Sequence, residues 1–285
     1  AEVTIEANPG MLTPEKLSIY RKYGINRISI GLQSPKNKEL AILGRIHNYA
    51  QFLESFQMAR EAGFSNINVD LMFAIPGQSY EGWIENLRTV AALGPEHISA
   101  YSLIIEEGTP FSRKKLDLPD EDTEYRMYED VAAVLKEYGY HQYEISNYAK
   151  AGRECRHNEG YWQRKDYLGL GLGAASLLGK ERFSNTSDMQ EYLKNSSAPE
   201  KIRKNRELLT REDEMAEFMF LGLRMTQGVS KKEFQEYFGT AIENIYGEVL
   251  RKYKKQGLLL EESGRIFLSR EGIHVSNAVM ADFLL

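Results

Sequence analysis

Hydrophobic and polar positions alternate along three stretches near the start of the chain. In Asn66–Gln78, Ile67, Val69, Leu71 and Phe73 share one face, Asn66, Asn68, Asp70, Met72 and Ala74 share the other, and Pro76-Gly77 breaks the run. Successive side chains of an extended backbone point to opposite faces, so this pattern predicts a strand. Arg27–Gln33 repeats it, with Ile28, Ile30 and Leu32 opposing Arg27, Ser29, Gly31 and Gln33. Glu2–Ala7 repeats it again, with Val3, Ile5 and Ala7 opposing Glu2, Thr4 and Glu6. Between these stretches the apolar period lengthens to that of a helix. Thr13-Pro14-Glu15 opens one helix with a capping hydroxyl, a first-turn proline and an acid, and Leu17, Tyr20 and Tyr23 give it an apolar side up to Gly24. Ser34-Pro35 opens a short helix that Gly44 closes, Asn48 caps one carrying Phe52, Phe56 and Ala59, and Ser79 starts one carrying Trp83, Leu87 and Val90. A fourth strand runs from His97 to about Ile105. Strand alternating with helix predicts an α/β fold, a right-handed parallel sheet or partial barrel. Glu6, Gln33 and Asp70 lie on the polar faces, toward the C-terminal halves of their strands, which is where such sheets and barrels carry ligands.

The alternation stops at Glu107-Gly108-Thr109-Pro110. A long helix follows from about Asp120 to Tyr138, with Tyr128, Val131, Leu135 and Tyr138 on one side, and then a strand over Gln142–Ser146. An irregular segment holds Cys155, His157, Asn158, Tyr161 and Trp162. The run Gly169-Leu170-Gly171-Leu172-Gly173 lacks the Lys-Ser/Thr ending of a phosphate loop and reads as close backbone packing. Asn195–Pro199 reads as a linker. Beyond Leu209, helices over Glu212–Met225, Lys231–Tyr237 and Ile242–Lys255 precede a hairpin of Leu258–Glu261 and Arg265–Leu268, a winged-helix pattern. Three parts are expected: 1–110, 111–200 and 201–285.

Composition narrows the function classes. With 42% hydrophobic and 27% charged residues, the 285-residue chain has material for a large core and more than one domain. Net charge is −5, which argues against general nucleic-acid affinity. Arg251, Lys252, Lys254 and Lys255 end the third C-terminal helix and either face DNA or complement the helix dipole, and the acidic chain favours the dipole. No apolar run reaches the length of a membrane span. A single cysteine, Cys155, rules out an internal disulfide framework and suits the cytoplasm. The sequence opens in a strand directly after Ala1, so we expect further coding sequence upstream.

Several separated motifs carry a family resemblance. Arg27-Ile-Ser-Ile-Gly-Leu-Gln-Ser34, Leu43-Gly-Arg-Ile-His47 and Asn68-Val-Asp-Leu-Met-Phe-Ala-Ile-Pro-Gly-Gln78 occur in order, with Thr4-Ile-Glu-Ala-Asn-Pro9, Tyr101-Ser-Leu and Glu107-Gly-Thr-Pro110 around them. Together they resemble the oxygen-independent coproporphyrinogen III oxidase family of radical S-adenosylmethionine (SAM) proteins. The resemblance implies a radical-SAM barrel, here lacking its first units, then an α+β segment and a winged-helix-like domain. One branch of that family oxidatively decarboxylates coproporphyrinogen III; the other, the HemW-type heme chaperones, delivers heme to respiratory proteins. Arg156-His-Asn-Glu-Gly-Tyr-Trp162 matches the His-Asn-x-x-Tyr-Trp motif of the chaperone branch. The implied partners are heme and a heme-accepting respiratory protein, with transient membrane association through that acceptor and no nucleic acid. The three-cysteine motif that holds the family's 4Fe-4S cluster is absent, as is the glycine-rich motif after it, and both are expected upstream of Ala1. Gly173-Ala-Ala-Ser176 stands where the family often has Gly-Ala-His-Ser, so Ala175 removes a histidine.

The resemblance carries Glu6, Gln33, Arg45 and Asp70 over as SAM contacts. Asp70 and Gln33 suit a ribose diol, Arg45 a carboxylate through its guanidinium fork, and Glu6 the cationic part of the ligand. The alternative is an internal salt-bridge network filling a barrel. His157 is a candidate heme ligand, since neutral imidazole is a common axial ligand, with Tyr161 and Trp162 walling the macrocycle. The alternative is a histidine that fastens a loop, with the aromatics as core.

Overall fold

A computed structural model describes residues 1–285. Its backbone gathers into two compact units, Ala1–Arg156 and His157–Leu285. The first alternates strands and helices: β1 (Thr4–Ala7), α1 (Pro14–Lys22), β2 (Arg27–Gln33), α2 (Asn37–Ile42), α3 (Tyr49–Glu61), β3 (Ile67–Phe73), α4 (Tyr80–Ala91), β4 (His97–Ser102), α5 (Glu121–Lys136), β5 (His141–Glu144) and β6 (Asn147–Ala149). These six strands form one sheet in the order β1-β2-β3-β4-β6-β5. β1 to β4 are parallel, and β6 and β5 close the sheet antiparallel.

Local chemistry sets the helix ends. The Thr13 hydroxyl accepts from the Lys16 N–H, Ser79 caps α4 through Gly82, and Asn48 and Gln51 form a reciprocal capping box at α3. The apolar strand face is fully buried: Ile28, Ile30 and Leu32 of β2, and Ile67, Val69, Leu71 and Phe73 of β3, pack against Leu17, Phe52, Phe56, Trp83, Leu87, Met127 and Val131. The Trp83 indole donates to the Met127 carbonyl at 2.9 Å, which satisfies its buried N–H and ties α4 to α5. Two expectations shift. Tyr23 is exposed at the end of α1 instead of extending its apolar side. β4 stops at Ser102, and the single strand expected over Gln142–Ser146 is a hairpin of β5 and β6.

The second unit begins within α6 (Arg156–Trp162) and continues as β7 (Ala175–Leu178), β8 (Glu181–Asn185), α7 (Met189–Asn195), α8 (Pro199–Ile202) and β9 (Arg203–Leu208). The last stretch is α9 (Arg211–Gly222), β10 (Val229–Ser230), α10 (Lys231–Phe238), α11 (Ile242–Lys255), β11 (Leu259–Glu262), β12 (Arg265–Leu268), α12 (Arg270–His274) and α13 (Ser276–Ala281). β7, β8 and β9 make a three-stranded antiparallel sheet, and β10, β12 and β11 make another. Phe234, Tyr246, Ile266 and Phe283 are the buried centre of the last stretch. Asn195–Pro199 is the connection from α7 to α8. Two expectations are corrected here: the irregular segment contains the helix α6, and the sheet β7-β8-β9 and helices α12 and α13 were not anticipated.

Candidate functional site

The polar face of the first sheet is built around a distortion in β2. The β2–β3 register shifts between Ile30 and Gln33, and Gln33 has a positive φ of 73°. A non-glycine residue there is uncommon and needs support from its surroundings. The support is Tyr101 of β4, whose hydroxyl donates to the Gln33 amide oxygen at 2.8 Å. Gly31 keeps the face open, since a Cβ there would stand 3.1 Å from Gln33 Nε2 and 4.0 Å from Asp70 Oδ2. Burial first, and Asp70 second, push the Tyr101 phenol up to about 12; Glu6 adds to this, while the Gln33 hydrogen bond and Arg45 oppose it. Glu6, Gln33, Arg45 and Asp70 are therefore all neighbours of one phenol that sequence reasoning quoted only as part of a motif. Glu6 is exposed, Arg45 half-buried and Gln33 buried.

Asp70 is half-buried by area, yet burial is the largest influence on its carboxyl and raises it above the ordinary range. Hydrogen bonds from Asn68 and Ser99 pull the other way, Glu6 raises it further, and Arg27 lowers it. Asn68 Nδ2 donates to Asp70 Oδ1 at 2.7 Å and to Ser29 Oγ at 2.8 Å. On its other side, Asn68 Oδ1 meets His97 Nδ1 at 2.6 Å, and His97 Nε2 meets the Tyr143 hydroxyl at 2.8 Å. The Tyr143 oxygen accepts the Cys155 backbone N–H at 3.3 Å. Burial first and Arg27 second push the His97 imidazole well below its ordinary value, which keeps it neutral. None of these partners of Asp70 was singled out from sequence.

In the second unit, α6 sorts the His-Asn-x-x-Tyr-Trp residues by helix face. His157 and Tyr161 are four apart and share a side. Their rings meet edge to face at 4.6 Å, and Tyr161 meets Tyr167 at 4.7 Å. Trp162 is turned well round the helix from His157. Its ring carries the Arg224 guanidinium at 4.2 Å. The structure thus brings Tyr161 to His157 and directs Trp162 to Arg224. Of the glycine run only Gly169 packs closely, where a Cβ would stand 2.2 Å from the Ala175 carbonyl; Gly171 and Gly173 have open space there and instead adopt positive φ of 107° and 69°. Asn185 Nδ2 donates to the carbonyls of Gly169 and Gly171 at 3.2 and 2.8 Å. Ala175 is exposed at the start of β7. Glu217, buried in α9, accepts from Arg164 Nε at 2.7 Å and from Arg182. A cleft of about 770 Å³ within this unit is lined by Trp162, Phe218, Tyr237, Met225, Lys165 and Arg265 among others.

Comparison with known proteins bears on both units. Residues 1–90 match the radical SAM superfamily, and residues 209–275 match the HemN C-terminal domain. The heme chaperone HemW of Bacillus subtilis strain 168 is 38% identical over 100% of this chain and 76% of its own length. The heme chaperone HemW of Escherichia coli K12 is 35% identical over 94% of this chain and 73% of its own. Among solved structures, coproporphyrinogen III oxidase (HemN) from Escherichia coli, described as a radical SAM enzyme, superposes with a TM-score of 0.84 at 21% identity, covering 100% of this chain and 70% of that one. At that identity the likeness shows a shared α/β fold.

Proposed function

The chain belongs to the HemW heme chaperone family of radical SAM proteins, and we propose from this premise that it binds heme and SAM and passes the heme to an acceptor protein of respiration. The observation that carries the heme half is His157, an exposed imidazole one helical turn from Tyr161. His47 and His97 are buried and hydrogen-bonded, His141 pairs with Glu154, and His274 is half-buried at the end of α12. His157 is therefore the ring best placed to offer a nitrogen to iron. Tyr161 and Tyr167 give the macrocycle aromatic contact on the same side. Trp162, occupied by Arg224, belongs to the support of the helix and to the neighbouring cleft.

The SAM half rests on donor chemistry that fits the ligand. Asp70 and Gln33 take the ribose diol, Arg45 the carboxylate, and Glu6 the cationic end, with Tyr101 holding Gln33 in its strained conformation. Reduced by a cluster, SAM supplies a 5′-deoxyadenosyl radical in radical SAM proteins. The residues of this chain do not fit that cluster. It needs three thiolates, Cys155 is the only cysteine, and no three His, Cys, Asp or Glu side chains converge on one point.

In finer detail, we read 1–110 as a radical-SAM barrel lacking its first units, 111–200 as the family-specific segment and 201–285 as a winged-helix-like domain. The three helices before the β11–β12 hairpin support the last assignment. Lys252 and Lys254 pair with Asp282 and Glu261, which favours a helix-end role over DNA binding. No helix is long and apolar enough to cross a membrane, and we place the protein in the cytoplasm, meeting the membrane transiently through its acceptor. The test is to mix full-length protein with hemin, and separately with coproporphyrinogen under anaerobic reducing conditions. A shifted Soret band without decarboxylation is the expected result. Decarboxylation without heme binding would overturn the proposal in favour of a coproporphyrinogen III dehydrogenase.

A further inference from the structure

We propose that Asn68, His97 and Tyr143 are positioning residues for the Asp70 carboxylate, a one-way hydrogen-bond chain that keeps it a fixed acceptor for the SAM ribose. This rests on reading Asp70 as a SAM contact. The direction of the chain follows from the carboxylate alone. An ionised carboxylate only accepts, so Asn68 must turn its NH₂ group to Asp70, at 2.7 Å. Its amide oxygen then faces His97 Nδ1 at 2.6 Å, and that nitrogen must carry a proton. His97 is neutral, so Nε2 is an acceptor, and the Tyr143 hydroxyl 2.8 Å away must donate to it. The Tyr143 oxygen keeps its accepting side for the Cys155 N–H at 3.3 Å. Every donor points toward Asp70, and no link can reverse without putting two acceptors or two donors face to face.

This route joins β3, β4 and β5, the last of which lies three places from β3 in the sheet. Ser29 of β2 and Ser99 of β4 fill the remaining positions on Asn68, at 2.8 and 3.2 Å, and His97 makes the shorter of the two bonds to the amide oxygen, at 2.6 Å. His97 and Asn68 are both buried. The charged and titratable groups acting with Asp70 are Glu6 from β1, Arg27 from β2 and Tyr101 from β4; Arg45, after α2, acts on Tyr101, and His97 reaches Asp70 only through Asn68. The largest pull toward the ionised form comes from the Asn68 hydrogen bond. Releasing the amide removes that pull, and the carboxylate then takes up a proton at higher pH.

The experiment uses full-length, cluster-loaded protein, with SAM affinity measured calorimetrically across pH beside melting curves. His97→Leu removes both links, and His97→Asn keeps a donor near the Nδ1 position. His97→Leu should weaken SAM about five- to fiftyfold and move the acid limb of SAM affinity to higher pH, and His97→Asn should recover most of both. A merely structural role lowers both melting temperatures and leaves the affinity and its acid limb at wild-type values; that result would overturn the proposal. If His97→Leu does not fold, Tyr143→Phe opens the far end of the chain and should shift the acid limb the same way by less, and an unmoved limb overturns the proposal equally. Wild-type protein that binds no SAM would remove the Asp70 assignment itself and this inference with it, and is told apart because no variant is needed to see it.

Discussion

Asp70→Ala separates a ligand contact from an internal network. A carboxylate that accepts a ribose hydroxyl makes a charge-assisted hydrogen bond contributing about 1.5–3 kcal/mol. Losing one such bond should weaken SAM binding by about 10- to 150-fold. Stability without ligand should change little, because two effects oppose. The substitution leaves the Asn68 amide, 2.7 Å from the carboxylate, without that acceptor. An unsatisfied buried donor costs about 1–3 kcal/mol. Against this, the desolvated charge that burial disfavours is gone. The melting temperature without SAM should stay within about 5 °C of wild type. The pH dependence gives a second handle. Burial raises the carboxyl above its ordinary 3.8, so the folded chain keeps a proton that the unfolded chain has lost. The contribution of Asp70 to stability therefore falls as pH rises from 3.8 to the raised value. SAM affinity rises over the same window, since the ligand hydroxyls need the ionised form. Calorimetry with SAM at several pH values, beside melting curves, measures both. Affinity within twofold of wild type would refute the contact. A large drop in melting temperature without ligand would assign Asp70 to a network that holds the sheet together.

Three further substitutions test other parts of the structure. His157→Ala should weaken hemin binding and move the Soret band more than Cys155→Ala does; an unchanged spectrum of bound heme with lowered stability would make His157 structural. Gly31→Ala should weaken SAM severalfold with little change in melting temperature, because its Cβ would stand 3.1 Å from Gln33 Nε2 and press on the polar face; unchanged calorimetric affinity would argue against Gln33 as a contact. Glu217→Ala removes the carboxylate shared by Arg164 and Arg182, but Arg164 keeps Glu214 at 3.4 Å and the half-exposed Arg182 keeps Glu207 at 3.8 Å, so the loss in urea unfolding should be about 1–3 kcal/mol; a loss under about 1 kcal/mol would mean the group is effectively solvated.

The first half of the fold was legible because its signals are local. Ile67, Val69 and Leu71 alternate cleanly, Thr13, Asn48 and Ser79 cap their helices, and one sheet face is apolar throughout. The sheet β7-β8-β9 was not legible because β7 is only four residues long and β8 and β9 are largely polar, held by ion pairs. Arg203–Leu208 reads Arg-Lys-Asn-Arg-Glu-Leu, and its pairing with β8 is accompanied by ion pairs between Arg206 and Glu181 and between Arg182 and Glu207. α6 reads as irregular in the sequence because it is one short helix with Gly160 inside and no capping signature. For the site, residue types were readable but partnerships were not. His97 lies 29 residues from Asn68 and 46 from Tyr143 along the chain. Only the parallel register of β3 and β4, with Asn68 beside His97, brings them together.

Cys155, the chain's only cysteine, sits buried just beyond the hairpin that closes the first sheet, its thiol 3.7 Å from a Glu2 carboxylate oxygen. A thiol shut away from solvent reacts with a disulfide reagent only when its surroundings open. The ratio of its labelling rate to that of an exposed thiol therefore reads the equilibrium of that opening. This chain carries such a reporter without engineering, at the Glu2 end of β1 where the polypeptide leaves the hairpin. Labelling kinetics in dilute denaturant, followed on the peptide that carries Cys155, can distinguish local loosening of that end from unfolding of the whole unit.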